Sequence, residues 1–150
     1  MDLDRLTEKE WLHLAGQAEQ AWVDRLRSMA ERVRSSDPDL ARDLEGMAAE
    51  ERGHFQRLAN RDEGTPWPNV WHIDQDAARR LLGEHFPCLT SAARPRADRR
   101  NVTQMVDAVE RECARFYHHL ANNAADPDTR AFFEKMAALE EEHREGFGAG

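Results

Sequence analysis

Four stretches of the chain carry apolar residues at spacings of three and four, the pattern of helices that bury one face. The first is predicted over residues 8–33. A Thr7-x-x-Glu10 capping box opens it, and its seam runs Leu12, Ala15, Trp22, Leu26, Met29, Val33. The second, 38–60, starts from an Asp37 N-cap with Pro38 in the first turn and runs Leu40, Leu44, Met47, Glu51, His54, Leu58. The third, 101–124, is expected to open with Asn101-x-x-Gln104 as a capping box and runs Val102, Val106, Glu110, Cys113, Tyr117, Leu120, Ala124. The fourth, 127–147, is capped by Asp126 and runs Phe133, Met136, Glu140, His143, Phe147. Each seam is broken by polar residues: Glu19 in the first, Glu51 and His54 in the second, Glu110 in the third, Glu140 and His143 in the fourth.

The breaks are related by an internal repeat. Residues 37–54 and 126–143 match at a shift of 89 in Asp-Pro-Asp, Met-Ala-Ala, and the Glu and His of a Glu-x-x-His. Glu19 and Glu110 match at a shift of 91, so the second inter-helix loop is two residues shorter. The repeating unit is a helix pair, and its short loop makes it an antiparallel hairpin. Residues 61–100 separate the two pairs. Their GTPWPNVW tract rules out a continuous helix. A short amphipathic helix is predicted over Asp74–Phe86, and Trp67 and Trp71 are assigned to covering the core or an oligomer interface. Arg94, Arg96, Arg99 and Arg100 read as a solvated patch. The predicted fold is all-α: an antiparallel four-helix bundle of two helix hairpins joined by a long crossover containing a short helix, as one domain over 1–150.

Charge and cysteine usage remove several functions. A net charge of −8 and a pI near 5.4 exclude nonspecific nucleic-acid binding. Cys88 and Cys113 lie far apart with no CxxC, so this chain alone builds no zinc ribbon or rubredoxin-type centre. No apolar run reaches the roughly 18 residues of a membrane span, and the charged start lacks a signal region, so a cytoplasmic protein is expected.

The carboxylates on the seams carry the candidate chemistry. One ionised carboxylate buried alone costs several kcal/mol, so four would outweigh the roughly 5–15 kcal/mol stability of a domain. No lysine or arginine lies on the seams to compensate. Two divalent cations would neutralise Glu19, Glu51, Glu110 and Glu140, with His54 and His143 as neutral ligands. One Glu from each of two helices plus a Glu-x-x-His from each of the other two is the ligand set of di-iron carboxylate bundles. Mixed imidazole and carboxylate donors suit Fe(II) or Mn(II) and do not exclude Zn(II). Glu112 is off the seam and would have to swing in as an extra ligand. Cys113, one turn after Glu110, reads as a small core residue beside the site. Tyr117 could hydrogen-bond a ligand, relay electrons or simply pack. Glu50, Glu141, Glu142 and Glu145 read as solvated faces, and His13, His72, His85, His118 and His119 show no partner pattern.

Glu19, the EERGH of helix two, the ERECARFY of helix three and the EEEH of helix four resemble the rubrerythrin family of the ferritin-like superfamily. The resemblance covers about residues 8–60 and 101–147 and implies a ferritin-like bundle with two iron ions. It implies Glu19, Glu51, His54, Glu110, Glu140 and His143 as ligands, and matches Glu112 to an extra carboxylate that some members use. The implied activity is redox reaction of a di-Fe(II) site with hydrogen peroxide or O2, as peroxidase or ferroxidase; the alternative is a non-catalytic iron-handling module. Without the family's usual rubredoxin domain, an electron donor would be a separate partner. A homodimer is expected from the resemblance and the apolar crossover. Leu26 stands where the family has a tyrosine after the helix-one Glu.

Overall fold

The computed structural model describes residues 3–61 and 73–147, the side chains of residues 145 and 146 excepted. Among the described residues there are helices and connecting turns and no strand. The elements are α1 Glu8–Val33, α2 Pro38–Arg61, α3 Gln75–His85, α4 Pro87–Thr90, α5 Arg99–Asn123 and α6 Pro127–Gly146, with a 3-10 turn at Leu3–Arg5.

The helix starts follow from side-chain chemistry. Thr7 Oγ1 accepts from the Glu10 amide while Glu10 Oε1 accepts from the Thr7 amide, closing the capping box of α1. Asp37 accepts from the Leu40 amide at 3.1 Å and Asp126 from the Thr129 amide at 3.1 Å, each ahead of a proline that needs no donor partner. α5 departs from expectation. Its N-cap is Asp98, whose Oδ1 accepts from the Asn101 amide at 2.9 Å, so the helix begins at Arg99 and Asn101 lies inside its first turn. An aspartate accepts two or more donors and also matches the positive helix end, which outcompetes an asparagine cap.

α1 packs along α2 and α5 along α6 as two hairpins. Arg61 Nε donates to Glu8 at 2.9 Å, tying the end of α2 to the start of α1. The apolar seams close one core, with Trp22, Leu26, Leu44, Leu58, Leu120, Phe133 and Met136 almost fully buried. α3 and α4 lie against α1, and α4 also touches α5. Beyond α4 the chain follows α1: Arg25 donates at 2.8 Å to the carbonyls of Leu89, Ser91 and Ala93, and Arg32 at 2.8 Å to that of Pro95. Arg94, Arg96, Arg99 and Arg100 are exposed, as expected of a solvated patch, and one of them also makes a tertiary ion pair. Arg99 grips the Asp37 carboxylate through two nitrogens, at 3.1 and 3.2 Å, linking the first turn of α5 to the N-cap of α2. Trp67 and Trp71, expected to cover core or interface, lie outside the described residues, as does His72. No helix among the described residues is long and apolar enough to cross a membrane.

Candidate metal centre

The four seam carboxylates are at most 1% exposed and come from four different helices: Glu19 on α1, Glu51 on α2, Glu110 on α5 and Glu140 on α6. They meet crosswise. His54 Nδ1 of α2 lies 2.8 Å from Glu140 Oε1 of α6, and His143 Nδ1 of α6 lies 2.9 Å from Glu51 Oε1 of α2. The two imidazoles stack, ring centres 4.7 Å apart and planes 22° off parallel. Glu51, His54, Glu140 and His143 each offer a ligand atom within 4.8 Å of all the others.

The remaining pair of helices holds the other two carboxylates. The Tyr117 hydroxyl of α5 donates to Glu19 Oε1 of α1 at 2.7 Å, and the Trp22 indole Nε1–H of α1 donates to Glu110 Oε1 of α5 at 3.0 Å. One pattern thus recurs four times. Each carboxylate has Oε1 engaged and Oε2 buried with no hydrogen-bond partner among the described residues. Glu51 Oε2 comes within 3.2 Å of His54 Nδ1 without forming one.

Four orphaned carboxylate oxygens in one core need a cation or a proton. The donor set fits metal. Neighbouring ligands of an ion held at about 2.1 Å stand about 3 Å apart when roughly perpendicular, the scale of the spacing seen between each imidazole nitrogen and its carboxylate. Without metal, protons take the place of cations. Burial, then the charges of Glu19 and Glu110, push the Glu51 carboxyl well above its ordinary range, and its carboxyl is close enough to Glu19 to share a proton. Burial, then Glu19 and Glu51, do the same to Glu140, which pairs with Glu110. Burial holds His54 below its ordinary value, favouring the neutral imidazole that a metal requires.

Not every expected residue joins the cluster. Glu112 is buried, but its carboxylate accepts from the Cys88 amide at 2.6 and 2.9 Å and the Leu89 amide at 3.3 Å, capping α4 rather than facing the seam. Cys113 is buried beside the carboxylates. Burial, then Glu140, Glu19 and Glu110, raise its pKa well above the usual range, so it packs as a neutral thiol. Tyr117 is kept a phenol by burial and by Glu19, and so remains a donor.

Two contributors escape a reading of the seams. Trp22 fits the seam as hydrocarbon, yet its indole nitrogen is the donor to Glu110; Leu26 offers none. Glu50 is 63% exposed, but its carboxylate contacts His143 Nε2, the imidazole nitrogen turned away from the centre. The repeat carries a signal for both. Trp22 aligns with Cys113 and Glu50 with Leu139, so the two halves match in ligands and differ in the groups around them.

Neither characterised proteins nor solved structures yield a match to this chain. A sequence model of the rubrerythrin family matches residues 10–149, a span that takes in all six seam residues and both hairpins, and the chain belongs to that family.

Proposed function

We propose that the chain is a di-iron redox protein in which Glu19, Glu51, His54, Glu110, Glu140 and His143 hold two iron ions that react with hydrogen peroxide or O2. The observation that carries this is the set of four buried carboxylates, each with one oxygen engaged and one orphaned, around two stacked imidazoles. Four carboxylates and two neutral imidazoles balance two divalent ions, so the core becomes neutral on loading.

When bound, the Fe(II) pair supplies two electrons, which with two protons convert one hydrogen peroxide to two waters. The protein's own part is positional and electrostatic. Tyr117 and Trp22 restrain Glu19 and Glu110 through Oε1, leaving Oε2 to turn toward a cation. Glu50 takes the outer nitrogen of His143 and so leaves Nδ1 for the centre. Trp22 and Tyr117 bond the site carboxylates, Phe133 stacks on Tyr117, and all three are at most 2% exposed, which favours a small oxidant over a bulky organic substrate. Mn(II) or Zn(II) would also suit the donors. Re-reduction would need a separate electron donor.

Stopped-flow oxidation of the anaerobic Fe(II)-loaded chain tests the proposal. Fast consumption of one peroxide per iron pair, giving Fe(III), is the expected result. Stable Fe(II) binding without oxidation by peroxide or O2 overturns it in favour of a non-catalytic iron-handling module.

A further inference from the structure

Some arginines of this acidic chain are matched with acids, among them Arg34 with Glu31 and Glu45, Arg61 with Glu8, Arg99 with Asp37 and Arg144 with Asp107. Others have no such partner among the described residues, and three of these converge on one face. Arg25, Arg32 and Arg94 have no carboxylate within 4.0 Å among the described residues, although they share the same groove. The groove runs between α1 and residues 89–95 and encloses about 430 Å³, within the range of small-molecule sites.

Its donors are partly spent and partly free. Arg25, half-buried at the base, gives three N–H bonds to the carbonyls of Leu89, Ser91 and Ala93 and so is fixed in place with donors to spare. Arg32 gives one bond to Pro95 O, and Arg94 reaches the Ser28 hydroxyl at a long 3.5 Å. The one acid in the lining, Asp24, has Oδ1 occupied by the Gln20 amide nitrogen. Burial, then the charges of Arg94 and Arg32, make the Arg25 cation harder to hold. Met29, Leu89, Ala92 and Pro95 supply an apolar wall.

We propose that this groove binds a small organic oxyanion, a phosphate or carboxylate on an apolar body, with the anion among Arg25, Arg32 and Arg94 and the body against Met29 and Leu89. Guanidinium groups pair with both oxyanions through two N–H donors at once. A concave site with a recessed, preorganised arginine favours a small ligand over the flat face of an acidic protein. A bound ligand would pin residues 89–95 to α1, the helix that carries Glu19 and Trp22, and this inference stands independently of which metal the centre holds.

The test is isothermal titration of the metal-loaded full chain with phenyl phosphate and, separately, with benzoate and inorganic phosphate, repeated on Arg32→Ala/Arg94→Ala. Both replaced side chains are exposed, so the variant is expected to fold and to keep its metal content, while Arg25 retains its carbonyl bonds. The expected result is saturable one-to-one binding of phenyl phosphate or benzoate, tighter than inorganic phosphate and weakened about tenfold or more in the double variant. Preference for phenyl phosphate marks a phosphate ligand, and preference for benzoate a carboxylate one. The proposal is overturned by no saturable binding up to about 10 mM. Equal affinity in the double variant, which assigns the anion to the metal centre, overturns it too. So does binding of a poly-glutamate peptide without binding of either aromatic anion, which makes the face a protein-docking surface.

Discussion

Trp22 and Tyr117 do the same work with different chemistry. Each reaches from one hairpin to the other and fixes one oxygen of a carboxylate that lies outside the Glu-x-x-His pairs. Trp22→Phe keeps most of the ring volume and removes the donor. It is expected to leave a buried Glu110 oxygen unpaired, destabilising the metal-free chain by about 1–3 kcal/mol in denaturant unfolding and weakening Co(II) binding at one of two positions. Unchanged stability and unchanged titration would show that the indole hydrogen bond is incidental. Glu50→Gln tests a subtler role. The outer-sphere partner of a ligating histidine is commonly worth about 10–100-fold in metal affinity, and the 63% exposure of Glu50 puts the expected loss near the lower bound. Metal affinity equal to the unaltered chain would return Glu50 to the solvated face on which its sequence position puts it. The six seam residues are legible in the sequence because a charged residue in an apolar period is a conspicuous error unless something compensates it. Trp22 and Glu50 are not legible from the seams: an indole nitrogen and an exposed acid break no apolar period, the repeat marks them only as positions where its halves differ, and contact across the bundle supplies their roles.

At the scale of elements, the long helices announce themselves through caps and periodicity, and the crossover does not. α4 is a single turn with no side-chain cap of its own, so no local signal marks it. It is held from outside, by Glu112 on the amides of Cys88 and Leu89 at its start. This explains why a carboxylate two residues from Glu110 sits off the seam yet is buried: it faces the crossover instead of the core. Glu112→Ala is expected to loosen α4 at a cost of about 1–3 kcal/mol, seen as faster amide exchange around residues 86–91, with metal content unchanged. A fall in metal content would place Glu112 among the ligands after all. Asp98 teaches a related lesson. The Asn101-x-x-Gln104 spacing fits a capping box, but the stronger acceptor three residues earlier takes the Asn101 amide first.

For the whole molecule, the charge balance of the core sets the pH response. Glu51 and Glu140 hold their protons in the folded, metal-free state well above the ordinary value of 4.5. Over the range where they stay protonated when folded and ionised when unfolded, stability falls as pH rises. His54, held below its ordinary 6.5, acts oppositely, its contribution being lost as pH falls. The two effects compete on the acid side; above neutrality the carboxyls act, joined at higher pH by the Cys113 thiol, whose pKa burial also raises. The metal-free chain is therefore expected to lose stability as pH rises above neutrality, and Glu51→Gln/Glu140→Gln to flatten that slope. A slope unaltered in the double variant would remove buried protonated carboxyls from the account. Metal loading should reverse the trend, since cations displace these protons and bind better as pH rises.

The central claim is that two metal ions occupy this core, and anaerobic Fe(II) titration of the metal-free chain, followed by metal analysis after gel filtration, tests it most directly. The account predicts two retained Fe(II) per chain, falling in both Glu19→Ala and Glu110→Ala. Retention of no iron, or equal iron in the unaltered chain and both variants, would contradict it.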